Sequence, residues 1–288
     1  MKSAFVALVG LPNAGKSTLL NRLVGEKLSI TSAKPQTTRD RIIGIRTEGE
    51  TQLVFFDTPG LLEPEHVLHE RMRASALRAL EDADVVVFVA DATRGAPPPL
   101  DQLVDATTRR TAPVITALNK CDRLTAEQRA ALESAVPGSV GISATQGDGI
   151  EALLQAISAH ATPGPWPYPG DELSTQPVRF FAGELVREAA LEQLEEEVPH
   201  GIACVIEEFR EGQTPVYIRA TLYVERESHK RIVIGAGGSR IRALGAAARE
   251  RIEALVGAPV YLDLHVKVDP RWRREQSAVD RMGYRGSR

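Results

Sequence analysis

Residues 10–17 read GLPNAGKS and follow directly on an apolar run, AFVALV, at residues 4–9. The pattern Gly-x-x-x-x-Gly-Lys-Ser between a strand and a helix is typical of a phosphate-binding loop, because backbone N–H groups and the helix N-terminus point at the anion. In such a loop Lys16 reaches the β- and γ-phosphates and the Ser17 hydroxyl binds Mg²⁺. A glycine-rich turn with a chance Lys-Ser is the alternative, which the strand before and the helix after disfavour.

Apolar runs alternate with helical patterns through the first 160 residues. A sheet strand buried on both faces has to be almost wholly apolar, and these runs are. This alternation predicts an α/β domain with a mostly parallel sheet and helices on both faces. The expected strands are 4–9, 53–57, 85–91, 114–119 and 139–143, and the expected helices are 16–24, 68–81, 98–110, 125–135 and 149–159.

The pattern changes after TPGPWPYPGDELSTQP, residues 162–177, in which every second residue from 163 to 169 is proline. Proline lacks the backbone donor that a helix or a central strand needs. The sequence therefore predicts a domain at 1–162, a semi-rigid linker at 163–177 and a second domain at 178–288. In the second domain the order is α+β: helix 179–197, strands 202–209 and 216–225, a helix, a glycine turn, helix 238–256 and strand 260–268.

Composition excludes some classes of protein. Cys121 and Cys204 lie far apart with no second ligand set nearby, so neither a disulfide framework nor a zinc site is expected. A net charge of −3 argues against wholesale coating of nucleic acid, and nothing indicates DNA binding. No segment resembles a signal peptide or a membrane span, and no coiled-coil pattern occurs, so we expect a cytoplasmic monomer.

The tetrapeptide NKCD, residues 119–122, ends the fourth apolar strand. A carboxylate there accepts hydrogen bonds from guanine N1 and the 2-amino group, whereas adenine offers no donors and would leave Asp122 unpaired. Asn119 is expected to brace the loop and Lys120 to lie over the base. The tripeptide ISA, 142–144, ends the last strand, where the N–H of Ala144 is expected to contact guanine O6.

The tetrapeptide DTPG, residues 57–60, follows another apolar run. Asp57 suits a water-mediated Mg²⁺ contact, and the N–H of Gly60 suits the γ-phosphate. Of the two threonines in TTRDR, residues 37–41, Thr38 is expected to complete the Mg²⁺ shell. The alternative for DTPG is an ordinary polar turn after a strand, and the alternative for TTRDR is a solvated loop.

These assignments give three sets of residues for the first domain. The predicted nucleotide contacts are Gly10, Leu11, Pro12, Asn13, Ala14, Gly15, Lys16, Ser17, Thr18, Asp57, Thr58, Pro59, Gly60, Asn119, Lys120, Asp122, Ser143 and Ala144. The predicted metal ligands are Ser17, Thr38 and Asp57, and the predicted catalytic contacts are Lys16, Thr38 and Gly60.

The second domain contains I-G-x-x-G-x-x-I at residues 234–241. In KH RNA-binding domains a G-x-x-G turn between two helices lets the nucleic-acid backbone approach closely. The element order fits a type II KH domain, and an ordinary helix–turn–helix is the alternative. The predicted RNA contacts are Lys230, Arg231, Ile234, Gly235, Ala236, Gly237, Gly238, Arg240, Ile241 and Arg242.

The order GLPNAGKS, TTRDR, DTPG, NKCD and SA resembles that of the Era family of bacterial ribosome-assembly GTPases. The resemblance continues through QPVRFFAGELVREAAL, HVKVDPRW and AVDRMGY, and so covers essentially the whole chain. The chain departs from the family at Ala236 and Gly237, where a lysine is common. Leu61, at a position where many small GTPases place glutamine, is a feature shared with the family.

The resemblance implies that the chain hydrolyses GTP to GDP with Mg²⁺, slowly and without a glutamine to orient the water. It implies binding of the 3′ end of 16S rRNA and a role in maturation of the 30S subunit. Asn13 is a candidate K⁺ ligand, because related GTPases with an asparagine at the corresponding place can use K⁺. A peripheral contact of the basic run RWRRE, residues 271–275, with the cytoplasmic face of the cell membrane stays open beside the alternative of a solvated surface.

Two other classes of function stay open from the residues alone. One is a metabolic kinase with a phosphate loop, which NKCD and the lack of an acceptor site disfavour. The other is a constitutive RNA-binding module whose first domain no longer hydrolyses nucleotide, which the complete motif set disfavours.

Overall fold

The computed structural model describes residues 1–32, 34, 36–104 and 111–284. By its internal contacts the chain divides into two compact units. The first comprises Met1–Pro64 and His69–Thr175, and the second comprises Glu65–Leu68 and Gln176–Arg288. In the part of the chain that is described, no helix is long and apolar enough to cross a membrane.

The first unit is built on a sheet with the strand order β2-β3-β1-β4-β5-β6. Strand β1 runs parallel to both β3 and β4, and β5 and β6 continue the parallel order. β2 is antiparallel to β3, and β7 pairs antiparallel with the start of β1. The strands are β1 (Lys2–Val9), β2 (Ile42–Glu48), β3 (Thr51–Asp57), β4 (Val85–Asp91), β5 (Val114–Asn119), β6 (Val140–Gly141) and β7 (Thr162–Pro163).

The predicted mostly parallel α/β fold is confirmed, with two strands that the sequence analysis did not identify, β2 and the short β7. Strand β2 forms a hairpin with β3 through the turn at Gly49, whose φ is +57°. The parallel register sets Leu8 of β1 opposite Asp57 of β3, and Asp91 of β4 opposite Asn119 of β5. The polar residues that end these strands therefore meet at one edge of the sheet.

The helices of the first unit are α1 (Lys16–Val24), α2 (Val67–Asp82), α3 (Ala126–Ala135) and α4 (Ile150–Ser158). α1 begins after Gly15 and ends at Gly25, both in left-handed conformations, and α3 begins with a capping box formed by Thr125 and Gln128. The N–H of Gly25, which donates to Asn21 O at 2.9 Å, and the capping box of α3 satisfy backbone groups that a helix terminus leaves unpaired.

The helix predicted at 98–110 does not form in its described part. Only a 3₁₀ turn, Leu100–Gln102, is present there, and residues 105–110 lie outside the described residues. Prolines at 97, 98 and 99 remove the donors that a longer helix would need at its start.

The proline-rich segment that the sequence predicts to be a linker lies along the edge strand β2. The N–H of Ile45 donates to Leu173 O at 2.8 Å, and Ser174 Oγ donates to Ile43 O at 2.5 Å. The free edge of β2 offers unpaired backbone groups, and the residues of this segment that are not proline can bond to them. Up to residue 175 this segment is therefore part of the first unit rather than a free spacer.

The second unit has the predicted α+β order. Its sheet has the order β10-β9-β8, in which β10 is parallel to β9 and β8 is antiparallel to it. The first helix ends at Gln193, earlier than predicted, because Leu194 is extended and Glu196 has a φ of +56°. The elements are α5 (Val178–Gln193), β8 (Ala203–Arg210), β9 (Val216–Val224), α6 (Glu227–Ile234), α7 (Ser239–Val256), β10 (Val260–Val268) and α8 (Gln276–Arg281).

Alternate residues of β9 form the centre of the second core. Val216, Ile218, Ala220 and Leu222 are buried in one cluster with apolar residues of the helices α5 and α7. Period-two alternation places these side chains on one face of the sheet, which packs against the helices.

Candidate nucleotide site and nucleic-acid interface

A cavity of about 590 Å³ opens at the edge of the first sheet where the parallel strands end. Six segments line it: the phosphate loop with the start of α1, the loop before β2, and the segments that follow β3, β4, β5 and β6. Its lining residues are Pro12, Asn13, Gly15, Lys16, Ser17, Thr18, Ile30, Thr31, Ser32, Gln36, Thr37, Thr38, Gly60, Arg94, Asn119, Lys120, Asp122, Arg123, Ala144 and Thr145.

Two glycines of the phosphate loop stand where no side chain fits. A Cβ at Gly10 would lie 2.2 Å from Val89 O. At Gly15, which has a φ of +96°, a Cβ would lie 2.2 Å from Asn119 Nδ2. The loop therefore packs directly against β4 and against the NKCD segment, and both contacts require glycine.

Lys16 is buried at the base of the loop. Its Nζ donates to Gly10 O at 3.2 Å and to Leu11 O at 3.0 Å, which directs the ammonium into the curve of the loop. Burial lowers the pKa of Lys16 to about 8, although the nearby Asp57 raises it. The ammonium is thus held where an anion would stabilise it.

Ser17, Thr38 and Asp57 meet beside Lys16. Ser17 Oγ lies 2.8 Å from Thr38 Oγ1 and donates to Asp57 Oδ2 at 2.7 Å, and Thr38 Oγ1 donates to the same Oδ2 at 3.4 Å. Burial raises the pKa of Asp57, while the hydrogen bond from Ser17 and the charge of Lys16 lower it. Three segments far apart in sequence are therefore brought together as predicted.

The oxygen set suits a magnesium ion. The other carboxylate oxygen, Asp57 Oδ1, is buried and accepts no hydrogen bond from any residue that the structure describes. A buried carboxylate oxygen without a partner is costly, and hydroxyl and carboxylate oxygens are the donors that Mg²⁺ prefers. The residues present therefore fit this ion.

The DTPG segment is fixed against the phosphate loop. A Cβ at Gly60 would lie 2.8 Å from Pro12 N, and Leu61 N donates to Gly10 O at 3.0 Å. Thr58, a predicted nucleotide contact, is turned away from the cavity, since its hydroxyl donates to Leu8 O at 2.8 Å. This hydrogen bond ties the end of β3 to β1.

Asn119 connects three loops of the site. Its Nδ2 donates to Ala14 O at 2.8 Å, and its Oδ1 accepts from the N–H groups of Lys120 at 2.8 Å and Ala144 at 3.0 Å. The N–H of Ala144, which the sequence assigns to guanine O6, is therefore engaged with Asn119 in this structure. Asn119 acts as the brace that the sequence predicts.

Lys120 extends from the NKCD turn towards the phosphate loop. Its φ is +69°, and its Nζ donates to Asn13 O at 2.8 Å and to Asp91 Oδ2 at 2.6 Å. Asp122 is exposed and lines the cavity on the same side. The side chains assigned to the base therefore do lie together at one side of the cavity.

Sequence reasoning missed Asp91, although it ends the buried run VVVFVAD as Asp57 ends its own strand. It also missed Arg22, whose Nε donates to Ala144 O at 3.1 Å and whose Nη2 donates to Thr145 O at 2.5 Å. A carboxylate at the end of a buried strand was a usable signal for Asp91. Arg22 lies in the last turn of α1, where a basic residue is common, so the sequence carries no such signal.

Some predicted nucleotide residues do not line the cavity. Ser143 is one of them, because its hydroxyl accepts the N–H of Gln146 at 3.1 Å and so braces its own turn. Others act by shaping the loop, as Gly10 does. The predicted residues outside the cavity lining are Gly10, Leu11, Ala14, Asp57, Thr58, Pro59 and Ser143.

The G-x-x-G turn of the second unit joins α6 to α7. Gly235, Gly237 and Gly238 have φ values of +72°, +55° and +76°, which glycine adopts most readily. A Cβ at Gly235 would lie 2.8 Å from Arg240 Cβ, whereas one at Gly237 would meet open space. Ala236 and Gly237 at the tip are exposed, so backbone there can be approached closely.

A groove of about 440 Å³ lies next to this turn, between α7 and β10. Ile241 and Arg242, both predicted RNA contacts, line it. Lys230 and Arg231 lie on α6 outside the groove lining, and Arg240 donates to Ile232 O at 3.1 Å. Lining residues that the sequence analysis did not name are Gly245, Ala246, Arg249, Val260, Tyr261, Leu262 and Leu264.

Comparison with known families separates the same two parts of the chain. Residues 5–120 match a family described as 50S ribosome-binding GTPase. Residues 197–273 match the KH domain family.

Whole proteins match over the full length. The GTPase Era of Nostoc sp. is 41% identical over 291 residues, covering 99% of this chain and 90% of that protein. The GTPase Era of Halothermothrix orenii is also 41% identical, covering 99% of both chains.

Two solved structures match equally completely. One is an Era variant from Aquifex aeolicus bound to GDP·AlF₄⁻, with a TM-score of 0.92, 39% identity and 99% coverage of both chains. The other is Era in complex with MgGDPNP and nucleotides 1506–1542 of 16S ribosomal RNA, with a TM-score of 0.93, 39% identity and the same coverage.

Proposed function

This chain belongs to the Era family of GTPases, and we propose that it is a nucleotide-dependent switch that binds the 3′ end of 16S rRNA and assists maturation of the 30S ribosomal subunit. The observation that carries the proposal is the single cavity in which the phosphate loop and the NKCD segment meet. The KH domain supports the RNA half of the proposal, as does the relative that is bound to nucleotides 1506–1542 of 16S rRNA.

In the proposed complex the phosphate loop binds the β- and γ-phosphates. Its backbone N–H groups and the N-terminus of α1 supply partial positive charge, and the buried Lys16 supplies a full positive charge. Asp122 accepts hydrogen bonds from guanine, which adenine cannot make. The cavity of about 590 Å³ is of the size expected for a nucleotide site.

Ser17, Thr38 and Asp57 are the residues that would hold Mg²⁺. Bound there, the ion would offset negative charge on the phosphates. Thr38 belongs to the loop before β2, so its engagement is expected to depend on the γ-phosphate, and loss of that phosphate is expected to release the loop.

Hydrolysis transfers the γ-phosphoryl group to water. Positioning of the reactants and electrostatic stabilisation of the transition state account for most of the lowering of the activation barrier. Leu61 cannot orient the water by a side-chain hydrogen bond, and it is buried with its N–H donated to Gly10 O. We therefore propose that backbone groups such as the N–H of Gly60 act instead, with slow intrinsic turnover.

A monovalent ion near Asn13 is part of the same proposal. Asn13 is an exposed residue of the phosphate loop that lines the cavity, and its φ is +63°. K⁺ there would add positive charge beside the phosphates. Hydrolysis in KCl and NaCl tests this, and equal rates in both salts, unchanged by Asn13→Ala, would remove K⁺ from the account.

For RNA we propose that the G-x-x-G turn contacts the backbone of a single strand and that its bases enter the groove between α7 and β10. Arg242 lines this groove and supplies charge for phosphate, and Ile241 supplies an apolar surface for bases. Arg231 is exposed on the preceding helix and adds charge near the turn.

The basic run at 271–275 gives little support for membrane contact. Arg271 pairs with Glu275 at 3.0 Å, and Arg273 is bonded to Glu225. Charges that are paired within the chain attract an anionic surface weakly. We propose the cytoplasm, where 30S subunits mature, as the place of action, and a monomer as the acting form.

The RNA half is tested with the full chain and a labelled oligonucleotide of the 16S rRNA 3′ end, measured by fluorescence anisotropy. A scrambled oligonucleotide of the same composition is the control for sequence. Arg242→Glu is expected to weaken binding strongly, whereas Arg274→Glu, an exposed charge of the basic run, is expected to have little effect. Equal affinity for both oligonucleotides would contradict the proposed target.

A further inference from the structure

We propose that Asp91 is a positioning residue that holds Lys120 against the base side of the nucleotide cavity, and so sets the affinity for GTP and GDP alike. The inference rests on the proposed guanine site. Asp91 itself does not line the cavity, whereas Lys120 does. Its effect on nucleotide must therefore pass through a lining residue that it contacts, and Lys120 Nζ, at 2.6 Å, is much closer to its carboxylate than Arg94 Nε, at 3.8 Å.

The carboxylate of Asp91 is oriented by the residues that follow it. Oδ1 accepts from the N–H of Thr93 at 3.1 Å and from its hydroxyl at 2.6 Å. Oδ2 is then directed at Lys120 Nζ, 2.6 Å away, with Arg94 Nε at 3.8 Å. Burial raises the pKa of Asp91, but the hydrogen bonds from Lys120 and Thr93 outweigh it, so the net shift is downward and the group stays charged.

The other end of the contact is equally constrained. The backbone of Lys120 is left-handed, with a φ of +69°, and its Nζ also donates to Asn13 O at 2.8 Å. The ammonium is thus bound at two points, on the phosphate loop and at the end of β4. Fixing both ends of a lysine fixes its methylene stem, which is the part that can lie against a planar base.

The strand register explains why Asp91 is in reach. Asp91 and Asn119 are directly opposed as the last residues of the parallel strands β4 and β5. Lys120 follows immediately, and its left-handed backbone returns the side chain over the end of β4. An aspartate at this position serves the guanine site although it belongs to none of the nucleotide motifs.

A purely local role is the competing explanation. Asp91 also caps the 3₁₀ turn Ala92–Arg94 through its bond to the Thr93 N–H. A capping defect would lower stability and would act independently of Lys120. A double-mutant cycle separates the two, because residues that act as a unit are not additive.

The test measures Kd for GDP and GTP, and kcat and KM for GTP hydrolysis, in Asp91→Asn, Lys120→Ala and the double variant. Asp91→Asn keeps the shape but removes the charge, and about a tenfold rise in Kd is expected for both nucleotides. KM should rise with kcat unchanged, the signature of uniform binding. In the Lys120→Ala background the same change should cost nothing further.

Asp82→Asn is the matched control, because it breaks an ion pair of similar length, 2.7 Å to Arg41, away from the cavity. It should leave Kd unchanged. If Asp91→Asn is poorly folded, Thr93→Val keeps the charge but removes the hydroxyl that orients it, and a rise in Kd of about threefold is expected.

Three results would overturn the inference. They are an unchanged Kd in folded Asp91→Asn, losses in Asp91→Asn and Lys120→Ala that simply add, and a loss confined to kcat. A wild-type chain that bound no guanine nucleotide would instead overturn the proposed function, and this inference with it.

Discussion

Raising the pH above neutrality is expected to weaken the binding of GTP and GDP, because Lys16 must carry a proton to pair with phosphate. Burial lowers the pKa of this lysine to about 8 in the nucleotide-free protein. The negative phosphates raise that pKa on binding, so above pH 8 the protein has to take up a proton when nucleotide binds. Affinity must therefore fall as pH rises through this value.

The expected magnitude follows from the fraction of Lys16 that is protonated. For a pKa of about 8, the apparent Kd increases by about twofold at pH 8 and about fourfold at pH 8.5, relative to acidic solution. The free energy of unfolding of the nucleotide-free protein has the opposite dependence on pH, since it rises where nucleotide affinity falls. The pKa of Lys16 in the folded state lies below its ordinary value of 10.5, so this lysine destabilises the nucleotide-free fold below pH 8, by ~3 kcal/mol. That cost disappears as pH rises from about 8 towards 10.5.

The assay is equilibrium titration of the full chain with a fluorescent GDP analogue from about pH 6.5 to 8.5. Lys16→Arg is the matched control, since an arginine keeps its proton throughout this range. The variant also corrects for any titration of the guanine ring. A wild-type Kd that stays flat to pH 8.5, or that changes in parallel with the Lys16→Arg variant, would refute the reasoning from burial.

Three further predictions concern single positions. Gly15→Ala should abolish nucleotide binding, because the new Cβ would lie 2.2 Å from an atom of the NKCD segment. Gly25→Ala is the control, because Gly25 is also left-handed but faces open space. This variant should lose only ~1 kcal/mol of stability, measured by thermal denaturation. Asp122→Asn should lower GTP affinity about a hundredfold and favour xanthosine triphosphate in competition assays; retained GTP preference would contradict the guanine assignment. Gly237→Asp should weaken RNA binding about tenfold without affecting GTP, while Gly212→Asp, in another open turn, should affect neither; equal losses would indicate a general charge effect.

Most of the nucleotide site could be predicted because parallel strands end at a common edge. Asp57 ends β3, and Ser17 lies at the start of the helix that follows the neighbouring strand β1, so the β1–β3 register brings them to the same end of the sheet. Thr38 was placed by its motif alone, and the structure brings it within 2.8 Å of Ser17. Local patterns suffice where each functional residue directly follows a strand or begins a helix.

Other features were not predicted, either because a local signal was overlooked or because they depend on tertiary contacts. β2 was missed although the sequence around Gly49 has the form of a tight hairpin turn. The proline-rich segment contributes to the first unit only because Leu173 and Ser174 meet the free edge of β2. Asp91 is oriented by Thr93 and reaches Lys120 through a left-handed backbone, which is a property of the folded turn.

Nucleotide state is expected to control RNA binding by this chain. The direct measurement is the Kd of the full chain for the 16S rRNA 3′-end oligonucleotide, once with a non-hydrolysable GTP analogue and once with GDP. Binding is expected to be selective and clearly tighter with the analogue, because the γ-phosphate orders the loops that contain Thr38 and Gly60. Equal affinity in the two nucleotide states would leave a GTPase and a KH domain in one chain and contradict the switch.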